Sequence, residues 1–216
     1  MGGRCRILRV TLWLILICLL LDLPVVQALA PEELYLQQKR GNSCTLCAST
    51  MMIRSLLHQA GSEDWQTVTE SDVRTAAWTS AGLSWNWTYK TEESTVKVGH
   101  KHIDGIGKKK IQKLLEEHPE GIVLYCGGDV AHGVFITDCT EGIVYCADPA
   151  NTYSGERMPL SKSLLGDRAG SQSNILAAAT AYWYIAESEI ILPEPVREVC
   201  PPTLPAAGRE NIPARL

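Results

Sequence analysis

Gln38, Cys44 and Cys47 stand close together early in the chain, the first cysteine six positions after the glutamine and the second three positions after the first. Ser43 is a candidate N-cap. After it, Leu46, Ile53, Leu56 and Leu57 recur at helical spacing, so the pattern predicts a helix from about Ser43 to Gln59 with Cys44 in its first turn. A thiol there faces unpaired backbone N–H groups and the positive end of the helix dipole. Both favour the thiolate, which is the nucleophilic form. Gln38 is an uncharged donor able to polarise a carbonyl oxygen beside the attacking sulfur. The chemistry these residues could perform is acyl transfer.

A nucleophilic cysteine needs a base within hydrogen-bond reach and a group that orients the base. His132 opens the run Ala131-His132-Gly133-Val134-Phe135-Ile136, and Asp148 closes Val144-Tyr145-Cys146-Ala147-Asp148-Pro149. Both runs read as strands. If they pair as a hairpin through Thr140-Glu141-Gly142 with an odd number of loop residues, position 134 faces 148 and 136 faces 146. His132 and Asp148 then become diagonal neighbours on one face, roughly 7–8 Å apart at the backbone. A two-residue turn would slip the register by one and put them on opposite faces. Asn151 is a second polar candidate for orienting the imidazole.

The elements that must hold these residues follow from period and punctuation. Pro31 to Gln38 reads as a short helix, Gly61-Ser62 as the stop of the long one, and Thr69 as the cap of a further helix running to Trp78 that should pack on it. Leu83 to Tyr89 reads as one extended segment, Thr91 to Gly107 as a polar loop containing His100 and His102, and Lys108 to His118 as a helix. Ile122 to Tyr125, His132 to Asp138, Gly142 to Ala147 and Thr180 to Ala186 read as strands. Asn151 to Asn174 reads as loop with one helical turn near Leu164. Helices first and antiparallel strands second make the fold class α+β. There is no internal repeat.

Of the 216 residues, 45% are hydrophobic and 20% charged, enough apolar material for one sizeable core. Arg4, Arg6 and Arg9 precede an uncharged run from Thr11 to Leu21, and Val26-Gln27-Ala28 fits the small-residue cleavage rule, so residues 1–28 read as an export signal. The competing reading is an uncleaved membrane anchor, against which Asp22 and Pro24 cut the run short of the roughly 20 residues a spanning helix needs. The expected organisation is a signal (1–28), a globular domain (29–192) and a proline-rich tail or linker (193–216), with a secreted or extracytoplasmic location. Loss of the signal removes three arginines and one aspartate and moves the formal charge from −4 to −6. That excludes the basic footprint of a nucleic-acid binder, and Lys108-Lys109-Lys110 reads as a solvated helical turn. Six cysteines remain, too few for a disulfide scaffold in a domain of this length. Asn86-Trp87-Thr88 matches the glycosylation acceptor pattern.

Gln-x5-Cys at a helix start, a later histidine followed by an apolar strand and an Asp-Pro closing the next strand resemble papain-like cysteine peptidases. The likeness is nearest to the bacteriocin-leader-processing (double-glycine) type and its stand-alone bacterial relatives. It covers about Gln38 to Asn151. It implies a papain-like fold, no cofactor or metal, a peptide or protein partner, and hydrolysis of a peptide bond through a thioester. Gln38, Cys44, His132 and Asp148 match that family's oxyanion donor, nucleophile, base and orienter in turn. The chain departs from the type at Ser43 and Thr45, where Asp and Gly are usual, and at Gly133, where a larger residue is usual.

Three other readings compete. Cys44-Thr45-Leu46-Cys47 has the spacing of a disulfide oxidoreductase, although no strand pattern precedes it. Metal binding would need a second ligand pair that Cys139, Cys146 and His132 do not supply at regular zinc spacing. A catalytically inactive peptide-binding module on the same fold would show the same residues. Glutamine spacing selects Cys44 over Cys47 as nucleophile, leaving Cys47 as a core neighbour one turn on. The oligomeric state is open.

Overall fold

The computed structural model describes residues 32–150, 152–153 and 157–192. The segment expected as a signal, the expected tail beyond residue 192 and Asn151 lie outside them. Among the described residues no helix is long and apolar enough to cross a membrane.

The chain is α+β. Its elements are α1 (Cys44–Gln59), α2 (Glu70–Ala77), β1 (Trp78–Thr79), β2 (Gly82–Leu83), β3 (Trp87–Lys90), β4 (Ser94–His102), α3 (Lys108–Glu117), β5 (Ile122–Cys126), β6 (His132–Thr140), β7 (Ile143–Ala147), β8 (Arg157–Pro159), α4 (Leu164–Ala169), α5 (Gln172–Ala177) and β9 (Ala179–Ile190). Seven strands form one antiparallel sheet in the order β3-β4-β9-β5-β6-β7-β8, and β1 and β2 make a separate small hairpin.

Helices cover both faces of the sheet. Met51, Met52, Ile53 and Leu57 of α1 and Val73 and Ala77 of α2 share a core with Val96, Val98, Val123, Phe135 and Trp183. On the other face Ile111, Leu114, Leu165 and Ile175 pack on Leu124, Val134, Ile136, Val144 and Cys146. Strands buried on both sides carry continuous apolar runs, as in Ile122-Val123-Leu124 and Val134-Phe135-Ile136. The edge strand β3 alternates instead, with Trp87 and Tyr89 buried and Thr88 and Lys90 exposed.

α1 is nearly enclosed, with every residue from Thr45 to Ser55 buried. Even Arg54 is inside, and its guanidinium donates to the carbonyls of Glu33 (2.7 Å), Val68 (2.9 Å) and Gln66 (3.1 Å). Those bonds offset the desolvation of the cation and tie two neighbouring segments to the helix. α1 ends in a Schellman motif, with the Ser62 N–H on Leu57 O, the Gly61 N–H on His58 O and Gly61 at φ +78°. α2 opens with the expected cap, Thr69 and Asp72 bonding each other's backbone N–H.

Several expectations are corrected. The segment before Gln38 makes only a 3₁₀ turn at Glu32–Leu34. Its next N–H groups bond outside the segment, Leu36 to Met51 Sδ and Gln38 to Pro149 O, so tertiary partners replace a helical ladder. Ser43 stands at the N-cap position of α1, but its hydroxyl donates to Arg40 O and bonds no helical N–H. Leu83 to Tyr89 is not one segment, because Leu83 pairs back on Trp78 while Trp87–Lys90 joins the large sheet. Thr91 to Gly107 is not a loop. Ser94–His102 is a nine-residue strand burying Ser94, Val96 and Val98, a period-2 signal masked by lysine, histidine and glycine. Residues 151–174, expected as loop with one helical turn near Leu164, do place α4 at that point and add β8, a 3₁₀ turn at Leu160–Lys162 and the start of α5.

The β6–β7 hairpin departs from expectation twice, and the two departures cancel. Thr140 pairs with Ile143, so the turn has two residues, Glu141 and Gly142, both at positive φ as a type I′ turn requires. That turn alone would place His132 and Asp148 on opposite faces. A bulge at Thr137 then restores the register, so that Ile136 pairs with Cys146 and Phe135 with Ala147. The bulge is held by Asp138, which accepts two 2.7 Å bonds from the Arg157 guanidinium and one each from the Thr137 and Thr140 hydroxyls.

Burial would raise the Asp138 pKa, but the Arg157 pair and those hydroxyls bring it below the ordinary carboxylate value. A lowered carboxylate contributes stability that is present above its unfolded pKa and is lost as pH falls through the folded one. Asp138→Asn is therefore expected to destabilise the chain by about 1 kcal/mol at pH 7, allowing for solvent screening of a partly exposed pair. In urea unfolding the difference from the parent shrinks as the pH falls below about 4.

Candidate active site

His132 and Asp148 meet at the end of the sheet. The His132 ring is 4% exposed and Asp148 1%, and His132 Nε2 donates to Asp148 Oδ1 at 2.7 Å. Asp148 also accepts from the Ala150 N–H (2.9 Å) and the Leu164 N–H (2.8 Å), so both carboxylate oxygens are occupied and the side chain cannot turn away. With Nε2 committed to Asp148, the imidazole has Nδ1 left for its other neighbour, the Cys44 sulfur, close enough for each group to shift the other's pKa.

Cys44 lies at the first position of α1, half-buried, where the helix supplies N–H groups without intrahelical acceptors. Burial pushes its pKa up. The hydrogen bond and charge of His132, with the N–H groups of Gly133 and Thr45, outweigh it, and the thiol pKa falls below its ordinary value. His132 shows the reciprocal change: burial alone would lower its pKa, but bonds to Asp148 and Cys44 and their charges raise it to about 9. Each charged form favours the other, the imidazolium the thiolate and the thiolate the imidazolium.

Gly133 is what lets the two meet. A Cβ there would lie 2.6 Å from Thr45 Cγ2 and 3.3 Å from Thr45 Cα, so a larger residue would push β6 off the start of α1. The departure at this position therefore has a packing reason in the chain itself, because Thr45 occupies the space a side chain would need.

Gln38 is held differently from the other three. Its backbone N–H donates to Pro149 O (2.8 Å), which places it beside the Asp148 turn, and its side-chain amide donates to Arg40 O (2.7 Å). Cys47 is fully buried and its S–H donates to Leu36 O at 3.5 Å. Burial, with Glu70 and Cys44 nearby, drives its pKa up, so it stays a thiol.

Cys44 opens onto a cleft of about 680 Å³. Gly41, Asn42 and Thr45 border it on the helix side, and the β1–β2 hairpin with Trp85 and Trp183 borders it opposite. Sequence reasoning missed that wall, and also the Ala150 and Leu164 donors that fix Asp148. The wall was traceable from Trp78-Thr79-Ser80-Ala81-Gly82-Leu83, two apolar ends around a short small-residue turn; backbone donors leave no such mark. Among the described residues no group of three or more His, Cys, Asp or Glu side chains is arranged to hold a metal.

Comparison with protein-family models, with curated proteins and with solved structures finds no match.

Two outcomes are expected of the thiol. Alkylation of Cys44 by a small haloacetamide should rise less steeply between pH 7 and 8 than that of an ordinary cysteine of pKa about 8.5, which accelerates severalfold. Gly133→Ala should slow it at least about tenfold at pH 7, approaching the few per cent thiolate of an unactivated cysteine. Gly133→Ala with Thr45→Ser, which removes Cγ2, should recover part of the loss.

Proposed function

We propose that the chain is a cysteine peptidase of the papain-like kind, with Cys44 as nucleophile, His132 as acid and base and Asp148 as the group that orients His132. The observation that carries this reading is the buried His132–Asp148 hydrogen bond set beside Cys44, whose sulfur opens onto a cleft. The α+β fold, with the cysteine on a buried helix and the histidine on an antiparallel strand, supports it.

The Cys44 thiolate attacks the carbonyl carbon of a peptide bond. The resulting oxyanion lies near the start of α1, where the Cys44 N–H and a side-chain amide can donate to it, and Gln38 is the amide the sequence pattern supplies. His132 gives its proton to the leaving amine as the C–N bond breaks, leaving a thioester on Cys44. Neutral His132 then takes a proton from water, and the hydroxide equivalent hydrolyses the thioester, regenerating thiolate and imidazolium. Asp148 keeps Nε2 protonated, so Nδ1 handles the proton in both halves.

Cys44–Cys47 disulfide exchange fits less well, since His132 and Asp148 serve Cys44 alone. Cys44→Ala is expected to abolish labelling by an electrophilic peptide probe, and Cys47→Ala to leave it; the reverse result moves the nucleophile to Cys47. Asp148→Asn should lower turnover by about 10²–10⁴-fold while Cys44 can still be alkylated. Turnover should hold through neutral pH and fall as pH rises through about 9, where His132 loses the proton that the leaving amine needs. A Cys44→Ala chain that still cleaves a peptide library at the parent rate would refute the proposal.

A further inference from the structure

Resting on the peptidase reading above, we propose that the cleft selects a peptide with an aromatic side chain close to the attacked bond, and that Trp85 is the residue that reads it. Trp85 is 67% exposed, and the other large hydrophobic side chains exposed among the described residues, Ile143, Ile191 and Leu192, are aliphatic. It lines the same cleft as Cys44. A contiguous apolar surface left to water beside a nucleophile is a place for part of the substrate.

The indole is exposed yet held in place. It stacks on the His100 ring, with centroids 5.6 Å apart and 10° between planes, and His102 lies 6.3 Å away. His100 in turn packs on Trp183 at 4.8 Å. Trp183 Nε1 donates to Ser84 O at 2.9 Å, fixing the backbone one residue before Trp85. A ring held this way loses little freedom when a ligand covers it.

Charge decides which ligand. Cys44 apart, the residues lining the cleft are Gly, Ala, Ser, Thr, Asn, Leu, Tyr and Trp, with no acid and no base among them. Burial and the neighbouring His102 lower the His100 pKa, which favours the uncharged ring beneath Trp85. A lysine or arginine side chain would find no counter-ion there, and a glutamate no donor of opposite charge. A neutral ring gains both burial and edge or offset stacking.

The test measures binding separately from cleavage. Fluorescent peptides that differ at one position next to a fixed central bond, carrying Phe, Lys, Glu or Gly, are titrated into the full chain bearing Cys44→Ala. The Phe peptide should bind at least about tenfold more tightly than the Glu and Gly peptides, in the range that apolar subsites achieve. The preference should vanish with Trp85→Ala and return with Trp85→Phe. Equal affinities in the parent, no binding of any peptide at millimolar concentration, a preference untouched by Trp85→Ala, or a neutral oligosaccharide occupying Trp85 in place of the peptide would each overturn the proposal. Turnover of the same peptides by the unmutated chain separates the two claims. Aromatic-selective binding without cleavage refutes the peptidase and keeps the subsite, and cleavage without selectivity does the opposite.

Discussion

The contact between Gly133 and Thr45 sets the geometry on which everything else depends. A helix start and a strand start cannot ordinarily come within a side chain's width of each other, and here one residue without a Cβ faces one with a small branched side chain. That closeness brings the Gly133 N–H and His132 beside the Cys44 sulfur, where both lower its pKa. The rest of the fold holds both partners rigid. α1 is buried along most of its length and tied by Arg54 to the carbonyls of Glu33, Gln66 and Val68, while β6 lies inside a sheet covered on both faces.

Burying a histidine and an aspartate together is costly, and an unpaired charge at either position would be destabilising. The arrangement offsets that cost by leaving neither group short of partners. Asp148 has three donors, and His132 has a carboxylate on one nitrogen and a sulfur on the other. The partly exposed member is Cys44, the one that must meet a substrate. Cys47, Cys126 and Cys146 lie buried with raised pKa values, so reactivity is concentrated in the thiol that faces the cleft.

Much of the site could be read from residue types and order. Cys44 at a helix start, His132 opening a strand and Asp148 closing the next are features of local pattern, and the structure brings these three together. Gln38 was legible by spacing, but its side chain is bonded to Arg40 O, a contact no spacing foretells. The strands buried on both faces were legible as apolar runs. β4 was not, because a strand that alternates Val with Lys and ends in Gly-His-Lys-His looks polar in composition while burying every second residue up to Val98. Nor was α5, six residues, too short for a helical period to emerge over Ser and Asn, whereas the turn expected near Leu164 is where α4 begins. Whether His132 and Asp148 share a face was reasoned from turn length alone, and the structure reaches that answer through a shorter turn and a bulge that turn chemistry does not reveal.

That bulge separates the two ends of its hairpin. Below Thr137 the pairing obeys the tight Glu141-Gly142 turn, and above it the pairing obeys the needs of His132 and Asp148. The distal end can thus be optimised for fast, local closure of the hairpin while the proximal end keeps its own parity. Loop variation at the tip and chemistry at the base become independent variables, linked only through the Asp138–Arg157 clamp that fixes where one regime gives way to the other.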